Sequence, residues 1–249
     1  MSQPPDDLPD SVAIAWGLRE RPGKGPKRSL SLEQVVTAAV KVADADGLAA
    51  VSMSRVAAEL GVATMSLYRY VSTKNDLVEL MIDAAFGDPP PARGQDEGWR
   101  AALARWAGGN VAAIHHRPWL RHLRISGPPI RPNSVRWMEQ GLACLRDTAL
   151  RPTERLSTVL LVSGYARYWA ALTVDLAEAS AKSGESPHEA GVRYWQHLEH
   201  LTRAGGFPAI RELLAEWAGE DEDDDFDAEW QFGLDRLLDG VEVLIRSRR

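Results

Sequence analysis

Residues 52–71, SMSRVAAELGVATMSLYRYV, carry the most informative spacing in this chain. Ala57 lies four residues before Gly61, and a small side chain at that place lets two short helices approach each other across a glycine turn. Glycine also adopts the left-handed conformation that ends a helix more easily than any other residue. The spacing therefore predicts a helix-turn-helix, with one helix over 52–60 and a second over 64–71.

The second helix has one apolar and one polar side. At about 100° per residue, Leu67 and Val71 fall on the same side, which we expect to pack on the first helix. The opposite arc carries Met65, Ser66 and Arg69, with Tyr68 and Tyr70 on its flanks and Thr64 as the predicted cap. Such a face suits a major groove, where the first residues of a recognition helix meet base edges. The spacing alone also fits an ordinary pair of packed helices.

Basic residues around this stretch favour the nucleic-acid interpretation. Lys74 opens the next helix, where its ammonium group and the helix N-terminus can hold a phosphate. Arg55 lies in the first turn of the supporting helix, another position for a contact to the DNA backbone. Residues 1–30 are predicted to be an extended arm, and such arms commonly enter the adjacent minor groove. The arm's cations are Arg19, Arg21, Lys24, Lys27 and Arg28.

The remaining pattern is helical throughout, so the predicted class is all-α. Ser31 and Gln34 form a predicted capping box, and the first helix starts there. The Pro- and Gly-rich stretch 88–98 is predicted to be a linker between a helix-turn-helix domain, residues 31–87, and a larger helical domain, residues 99–249. In that second domain, helices are predicted near 99–115, 118–125, 134–149, 153–182, 187–204, 208–217 and 226–247.

The overall charge argues against nucleic-acid binding, but the distribution of the charged residues does not. The 249 residues hold 29 Lys and Arg against 35 Asp and Glu, a net charge of −6. Residues 220–229 alone contribute −8, whereas residues 16–30 contribute +4. The acid run 220–227 is predicted to be a solvated loop. The cations are thus concentrated next to the helix-turn-helix.

Few features suggest any other chemistry. Cys144 is the single cysteine, which excludes an intramolecular disulfide framework, and a small buried residue is the expected role. The paired histidines, His115 with His116 and His197 with His200, lack a carboxylate at metal-site spacing, so no metal or cofactor is expected. The sequence shows no phosphate loop or nucleophile elbow, and we predict no enzyme. Nothing indicates export or a membrane span, which favours the cytoplasm.

Residues 30–87 resemble the DNA-binding domain of the TetR (tetracycline-repressor) family of bacterial transcription regulators. The resemblance rests on the family's signature stretch, GV-x4-LY-x-(H/Y)-(F/V)-x2-K-x2-L, which begins here at Gly61. It implies base contacts by Thr64, Met65 and Ser66. It also implies phosphate contacts by Tyr68, Tyr70 and Lys74, with Arg55 in support. Of the two residues that the signature allows at this position, the family usually has histidine, whereas this chain has Tyr70.

The second domain resembles, more loosely, the C-terminal domain of the tetracycline-repressor branch. The similar segments are RPWLRHL (117–123), NSVRWMEQGLACLR (133–146), LSTVLLVSGYARYWAALTVDL (156–176) and FGLDRLLDGVEVLI (232–245). The resemblance implies a homodimer held by a four-helix interface, from helices near 153–182 and 226–247. Helix-turn-helix proteins generally bind as dimers to paired half-sites, which favours the same expectation.

Eight of the nine tryptophans lie beyond residue 98. Large side chains in a helical core account for most of them. Apolar pockets with few polar groups bind small molecules, so Trp106, Trp137, Tyr165 and Trp169 are candidates for an effector cavity. We therefore predict a dimeric repressor that binds a palindromic double-stranded operator and is released by a small-molecule effector. The alternatives are a ligand-independent DNA-binding regulator, or an α-helical enzyme or adaptor with a coincidental helix-turn-helix.

Overall fold

The structure is a computed structural model that describes residues 8–18, 30–122, 129–217 and 226–248. Within these ranges the regular elements are α-helices and two short 3₁₀ helices, Leu48–Ala50 and Pro118–His122, so the predicted all-α class is confirmed. The α-helices are α1 (Asp10–Ala15), α2 (Leu32–Asp46), α3 (Met53–Glu59), α4 (Thr64–Leu67), α5 (Lys74–Phe86), α6 (Trp99–His116), α7 (Pro132–Cys144), α8 (Pro152–Ser183), α9 (Pro187–Thr202), α10 (Pro208–Trp217) and α11 (Phe226–Ser247). No helix in the described ranges has the length and apolar character needed to span a membrane.

Side-chain caps set the starts of the helices in the helix-turn-helix domain. The Ser31 hydroxyl accepts from the backbone N–H of Gln34, whose side chain accepts from the backbone N–H of Ser31, so the predicted capping box is present at α2. Thr73 and Asp76 form the same reciprocal pair at α5. Each box satisfies two backbone donors that a helix start would otherwise leave unpaired.

Residues 10–15 differ from the predicted extended arm. They form α1, and Val12 and Ala13 are almost completely buried. The many Pro and Gly residues nearby discourage helix, but they flank this six-residue segment instead of interrupting it. Burial of two apolar side chains stabilises a helix that is too short to form alone.

The recognition helix is shorter than predicted. α4 covers Thr64–Leu67, and turns replace the predicted helix over 68–70. Ala63, rather than Thr64, occupies the cap position and makes no side-chain capping bond. The predicted helix over 118–125 is likewise a 3₁₀ helix over the described residues Pro118–His122, and the next helix ends at Cys144 instead of 149.

The predicted linker is held by charged side chains. The Arg105 guanidinium donates to both carboxylate oxygens of Glu97, at 3.0 and 2.7 Å, and to the Pro91 carbonyl at 2.8 Å. Arg93 donates to the Glu97 carbonyl and to the Asp147 carboxylate. Two guanidinium groups thus tie residues 91–97 to α6 and to the segment after α7.

Contacts divide the chain into two compact units, but not at the linker. The first unit comprises Met1–Ala170 with Leu244–Arg249, so it holds the helix-turn-helix domain together with α6, α7 and the first part of α8. One apolar core runs through it, since Ile114, Trp119 and Ala170 belong to the same buried cluster as the side chains of α2–α5. The buried cluster thus extends past the predicted linker at 88–98, and the division of the chain into two domains at this linker stays a prediction.

The second unit comprises Ala171–Val243. Within it, α9 and α10 pack together, and the side chains of Leu234 and Leu238 on α11 are almost completely buried.

Two adjacent glycines on α6 test the packing of the linker. A Cβ atom at Gly109 would lie 2.4 Å from Cγ of Pro90, whereas a Cβ atom at Gly108 would meet nothing within 4 Å. We expect Gly109→Ala to lower the free energy of unfolding by about 1–3 kcal/mol through overpacking. Gly108→Ala, the matched control, should leave it unchanged or raise it by up to ~1 kcal/mol, because alanine favours helix. Denaturant titrations of the two variants measure the difference, and equal effects would contradict this packing.

Candidate nucleic-acid interface

The turn between α3 and α4 depends on Gly61. This residue has φ of +65°, and its N–H donates to the Ala58 carbonyl at 3.1 Å. The N–H of Val62 donates to the Ala57 carbonyl at 3.0 Å, which completes the end of α3. A residue with a side chain would be strained at this φ, although the space around Gly61 is open. The glycine therefore sets the angle at which α4 leaves α3.

The residues after this turn separate into a packed side and an exposed side, as the sequence predicts. Leu67 and Val71 are buried in the core. Met65 is 74 % exposed and Tyr68 is 46 % exposed. The remaining members of the predicted contact set are the half-buried Thr64 and Ser66 and the exposed Arg69 and Lys74. The structure thus places three of the predicted contact residues on α4, two directly after it, and Lys74 at the start of α5.

The cations of this region are not equivalent. Within the described residues, neither Arg69 nor Lys74 makes an ion pair or a side-chain hydrogen bond. Arg55, in contrast, pairs with the carboxylates of Asp46 at 3.1 Å and Glu59 at 3.6 Å. Arg69 and Lys74 are therefore available to bind an anion such as a phosphate, whereas Arg55 is already paired with two carboxylates.

Glu59 is held in its charged form. Lys41 donates a hydrogen bond of 2.6 Å to its carboxylate. This bond and the charge of Lys41, together with the charge of Arg55, lower the pKa of Glu59. Since an ionised carboxylate remains beside Arg55, part of the positive potential of that guanidinium is neutralised locally.

Tyr70 has a partner inside the protein. Its hydroxyl donates to the carbonyl oxygen of Leu30 at 2.9 Å, and the side chain is half-buried. A phenol has a single proton to donate, so in this arrangement it is not offered to a phosphate. The bond ties residue 30 to the end of the helix-turn-helix, and the implied phosphate contact of Tyr70 stays a prediction.

The predicted arm cations Arg19, Arg21, Lys24, Lys27 and Arg28 lie outside the described residues. The described residues on either side of these cations, Leu18 and Leu30, form hydrogen bonds with other parts of the protein. The N–H of Leu18 donates to the Ala13 carbonyl at 2.9 Å, and the Leu30 carbonyl accepts from Tyr70.

A buried carboxylate connects this domain to α7. Asp83 on α5 is only 7 % exposed and accepts from the backbone N–H groups of Asn133, at 3.1 Å, and Ser134, at 2.9 Å. The Ser134 hydroxyl donates to it as well, at 2.9 Å, and the Asn133 amide donates to the Asp83 carbonyl at 2.9 Å. A carboxylate is favourable at a helix N-terminus because the free N–H groups and the helix dipole point at it. No local pattern in the sequence indicates the role of Asp83, because its partners lie 50 residues away.

Two of the four candidate effector residues have packing roles. The Trp106 indole donates to the Trp137 carbonyl, and the Trp137 indole donates to the carbonyl of Gly87, both at 3.0 Å. A Cβ atom at Gly141 would lie 3.0 Å from the Trp106 ring, so this contact is tight. Phe86 meets the Trp137 ring edge-on at 5.7 Å. Both tryptophans therefore anchor α6 and α7 to the end of α5.

Tyr165 and Trp169 form a separate aromatic pair on α8, with ring centroids 6.4 Å apart. A groove of about 670 Å³ lies between α9 and α10, and none of the four candidates lines it. Its walls include Val192, Trp195 and Leu214. The structure thus brings the candidates together as two pairs.

The described residues contain no group of three or more His, Cys, Asp or Glu side chains arranged to hold a metal ion. Cys144 is buried, and burial raises the pKa of its thiol. A higher pKa leaves less of the reactive thiolate, as in a packed structural cysteine.

The two tyrosines of this region should respond differently to loss of the hydroxyl. Tyr70→Phe removes the bond to Leu30, and we expect the free energy of unfolding to fall by about 1 kcal/mol. Tyr68→Phe, the matched control, removes an exposed hydroxyl and should leave stability unchanged. Thermal or denaturant unfolding of both variants checks this, and equal stabilities would contradict the role of the Tyr70–Leu30 bond.

Matches to known protein families together cover nearly the whole chain. Residues 35–81 match the model of the bacterial regulatory proteins of the tetR family. Residues 90–245 match the model of the tetracyclin repressor-like C-terminal domain. The chain is 38 % identical over 244 residues to the HTH-type transcriptional repressor DrrR1 of Streptomyces coeruleorubidus, which covers 98 % of this chain and 88 % of that protein. It is also 29 % identical over 191 residues to an HTH-type transcriptional regulator of Saccharopolyspora erythraea, covering 74 % of this chain and 77 % of that one.

Solved structures show the same fold. The TetR family protein ActR of Streptomyces coelicolor, in complex with actinorhodin, superposes with a TM-score of 0.70 at 22 % identity, over 89 % of this chain and 98 % of that one. ActR without ligand gives a TM-score of 0.66 at 23 % identity, over 85 % and 96 % of the two chains. The helix-turn-helix, its exposed face and both family matches lead to one conclusion: the chain belongs to the TetR family of DNA-binding transcriptional regulators.

Proposed function

We propose that this protein is a dimeric repressor that places α4 of each subunit in the major groove of one operator half-site. The observation that carries the proposal is the exposed face of α4, followed by two cations, Arg69 and Lys74, that have no acidic partner among the described residues. Unpaired cations beside a recognition helix give favourable contacts to phosphates without first breaking an ion pair. The match to a transcriptional repressor along almost the whole chain supports the same function.

Each side chain on this face has a role that fits its chemistry. Thr64 and Ser66 offer hydroxyl groups to base edges, and Met65 offers an apolar contact to a thymine methyl group. Tyr68 and Lys74 donate to phosphates, which position the helix without reading sequence. The bases are thus read by a short, mostly uncharged set of side chains.

The first part of α8 presents an apolar stripe suited to a second copy of the chain. Leu156, Leu160 and Tyr168 are exposed, and Leu160 reaches 70 %. They share one side of the helix with Gly164, whose Cβ position has no atom within 4 Å. A contiguous exposed apolar stripe marks an interaction site, and an open glycine lets a partner helix come close. We therefore assign this stripe to the dimer interface.

A second exposed face lies on α11. Phe232 and Val243 are both about two-thirds exposed, and 11 residues, three helical turns, separate them. The Arg236 guanidinium lies 5.2 Å from the centre of the Phe232 ring. We assign this face to the same kind of contact, in line with the implied interface of helices near 153–182 and 226–247.

Release by a small molecule completes the proposal. The ActR–actinorhodin structure supports it, since a relative of the same fold holds a small molecule. We place the effector beside the aromatic pair Tyr165 and Trp169 on α8, whose ring centroids lie 6.4 Å apart, because aromatic side chains commonly line pockets for small molecules. Effector and operator then weaken each other's binding through one reciprocal coupling energy. A ligand-independent regulator is the alternative, and a compound that raises the melting temperature and displaces bound DNA would exclude it.

Selection of bound duplexes from a random DNA pool tests the function. We expect a palindrome with two half-sites. Arg69→Ala combined with Lys74→Ala should lower affinity for it by about 100-fold or more, because four phosphate contacts are lost per dimer. The slope of log affinity against log salt should become shallower by about 3–4, at ~0.9 per contact.

The matched control removes two exposed cations elsewhere, through Arg146→Ala and Lys182→Ala. This variant changes the net charge equally and should bind the palindrome almost as the wild type does. A pool that yields no motif, or equal binding by both double variants, would overturn the proposal.

The dimer assignment has its own test. Leu160→Glu places a charge in the centre of the α8 stripe and should shift the protein from dimer to monomer at micromolar concentration, as measured by light scattering. Affinity for the two-half-site duplex should fall with it. Leu18→Glu, a change at an exposed leucine outside α8 and α11, serves as the control. A dimeric Leu160→Glu variant would contradict the assignment of this stripe.

A further inference from the structure

The N-terminal helix α1 lies against α5. Val12 and Ala13 are each 1 % exposed, and Ala15 packs on the apolar core of the helix-turn-helix domain. α1 makes its main helix contact with α5, the helix that directly follows the recognition region. Neither family match includes residues 10–18.

The end of α1 reaches a second element. Gly17, with φ of +66°, ends the helix, and the Leu18 N–H returns to the Ala13 carbonyl. This turn directs the Trp16 indole to the carbonyl oxygen of Ile130, to which it donates at 2.7 Å. Ile130 lies two residues before α7 begins at Pro132. A six-residue helix therefore bridges α5 and the entry to α7.

The same short entry segment is also held directly by α5. The Arg131 guanidinium pairs with Glu79 at 2.8 Å, and both side chains are largely shielded from solvent. Asn133 and Ser134 bind Asp83, one turn of α5 further on. Residues 130–134 are thus fixed by three contacts, of which two come from α5 and one from α1.

We propose that α1 is an intramolecular strap that fixes the helix-turn-helix domain to the entry of α7, with Trp16 as its positioning residue. The strap touches no base and no phosphate. It narrows the range of orientations that α4 and α5 adopt relative to α7, so that two subunits present their recognition helices at one separation. The inference rests on the proposed dimeric operator binding, and the strap itself can be tested without DNA.

The strap should affect the affinity for DNA only when both recognition helices must bind at once. A duplex with one half-site needs only one recognition helix, whereas a duplex with two half-sites needs both at the correct spacing. Loosening the strap should therefore weaken binding to two half-sites and leave binding to one half-site unchanged. Loss of a direct DNA contact would weaken both.

Two variants of the full-length protein carry the test. Trp16→Phe keeps an aromatic ring but removes the indole N–H that binds Ile130. Val12→Asp places a charge in the buried face of α1 and should detach the helix. Leu18→Ala removes an exposed side chain of the same segment, keeps the backbone bond to Ala13, and is the control.

Hydrogen exchange without DNA is the first measurement. We expect faster exchange at the amides of Asn133 and Ser134 in both strap variants, and unchanged exchange in Leu18→Ala. The second measurement compares the selected palindrome with a duplex that holds one half-site. Trp16→Phe should bind the palindrome up to about 30-fold more weakly, because one hydrogen bond is lost in each of the two subunits, and the single half-site equally well.

Unchanged exchange at Asn133 and Ser134 in both variants would overturn the strap, whatever the DNA result. Equal weakening on both duplexes would also overturn it, because it would indicate a direct contact to DNA. Failure of the wild-type protein to select any duplex would overturn the proposed function, while the exchange result would still decide whether the strap exists. A melting temperature for each variant separates local detachment from loss of the fold.

Discussion

The arrangement of the first unit depends on one buried carboxylate. Asp83 has lost nearly all of its water, and a carboxylate in that position is stable only when donors surround it. The first turn of α7 supplies these donors from two backbone N–H groups and one hydroxyl. The dependence is mutual, because the N-terminus of α7 has no capping side chain of its own. α5 and α7 therefore keep a fixed register. One turn beyond Asp83, the Trp137 indole N–H donates to the Gly87 carbonyl and holds the two helices in the same register.

This junction explains why the compact unit does not end at the linker. The stretch 88–98 has the composition of a flexible connection, but Arg105 and Arg93 hold it and Pro90 fills the space above Gly109. A movement of α7 or α6 must therefore displace α5 and the recognition residues before it. Signal transfer from the C-terminal helices needs a rearrangement of these contacts, because a packed junction shifts between discrete arrangements instead of bending gradually.

Local patterns in the sequence predicted most elements, and long-range contacts account for the errors. The boxes at Ser31 and Thr73, the glycine turn at Gly61 and the buried pair Leu67 and Val71 all depend on residues within a few positions of each other. The end of α4, the helix α1 and the role of Asp83 depend on partners 40 to 114 residues away, such as Leu30 for Tyr70 and Ile130 for Trp16. No periodicity in a single segment contains that information. The contact residues on the DNA side remain predictions from the family resemblance, supported by their exposure.

The placement of charge connects these observations to affinity. The chain is acidic as a whole. Arg55 forms ion pairs with Asp46 and Glu59, so the described recognition region offers few unpaired cations. In the proposed dimer, binding through so few phosphate contacts is weak for one subunit and gains strength when both subunits bind together. That gain exists only if both recognition helices are held at the spacing of the half-sites. A regulator with little positive charge therefore needs a rigid junction, and the Asp83 contacts give the helix-turn-helix domain that rigidity.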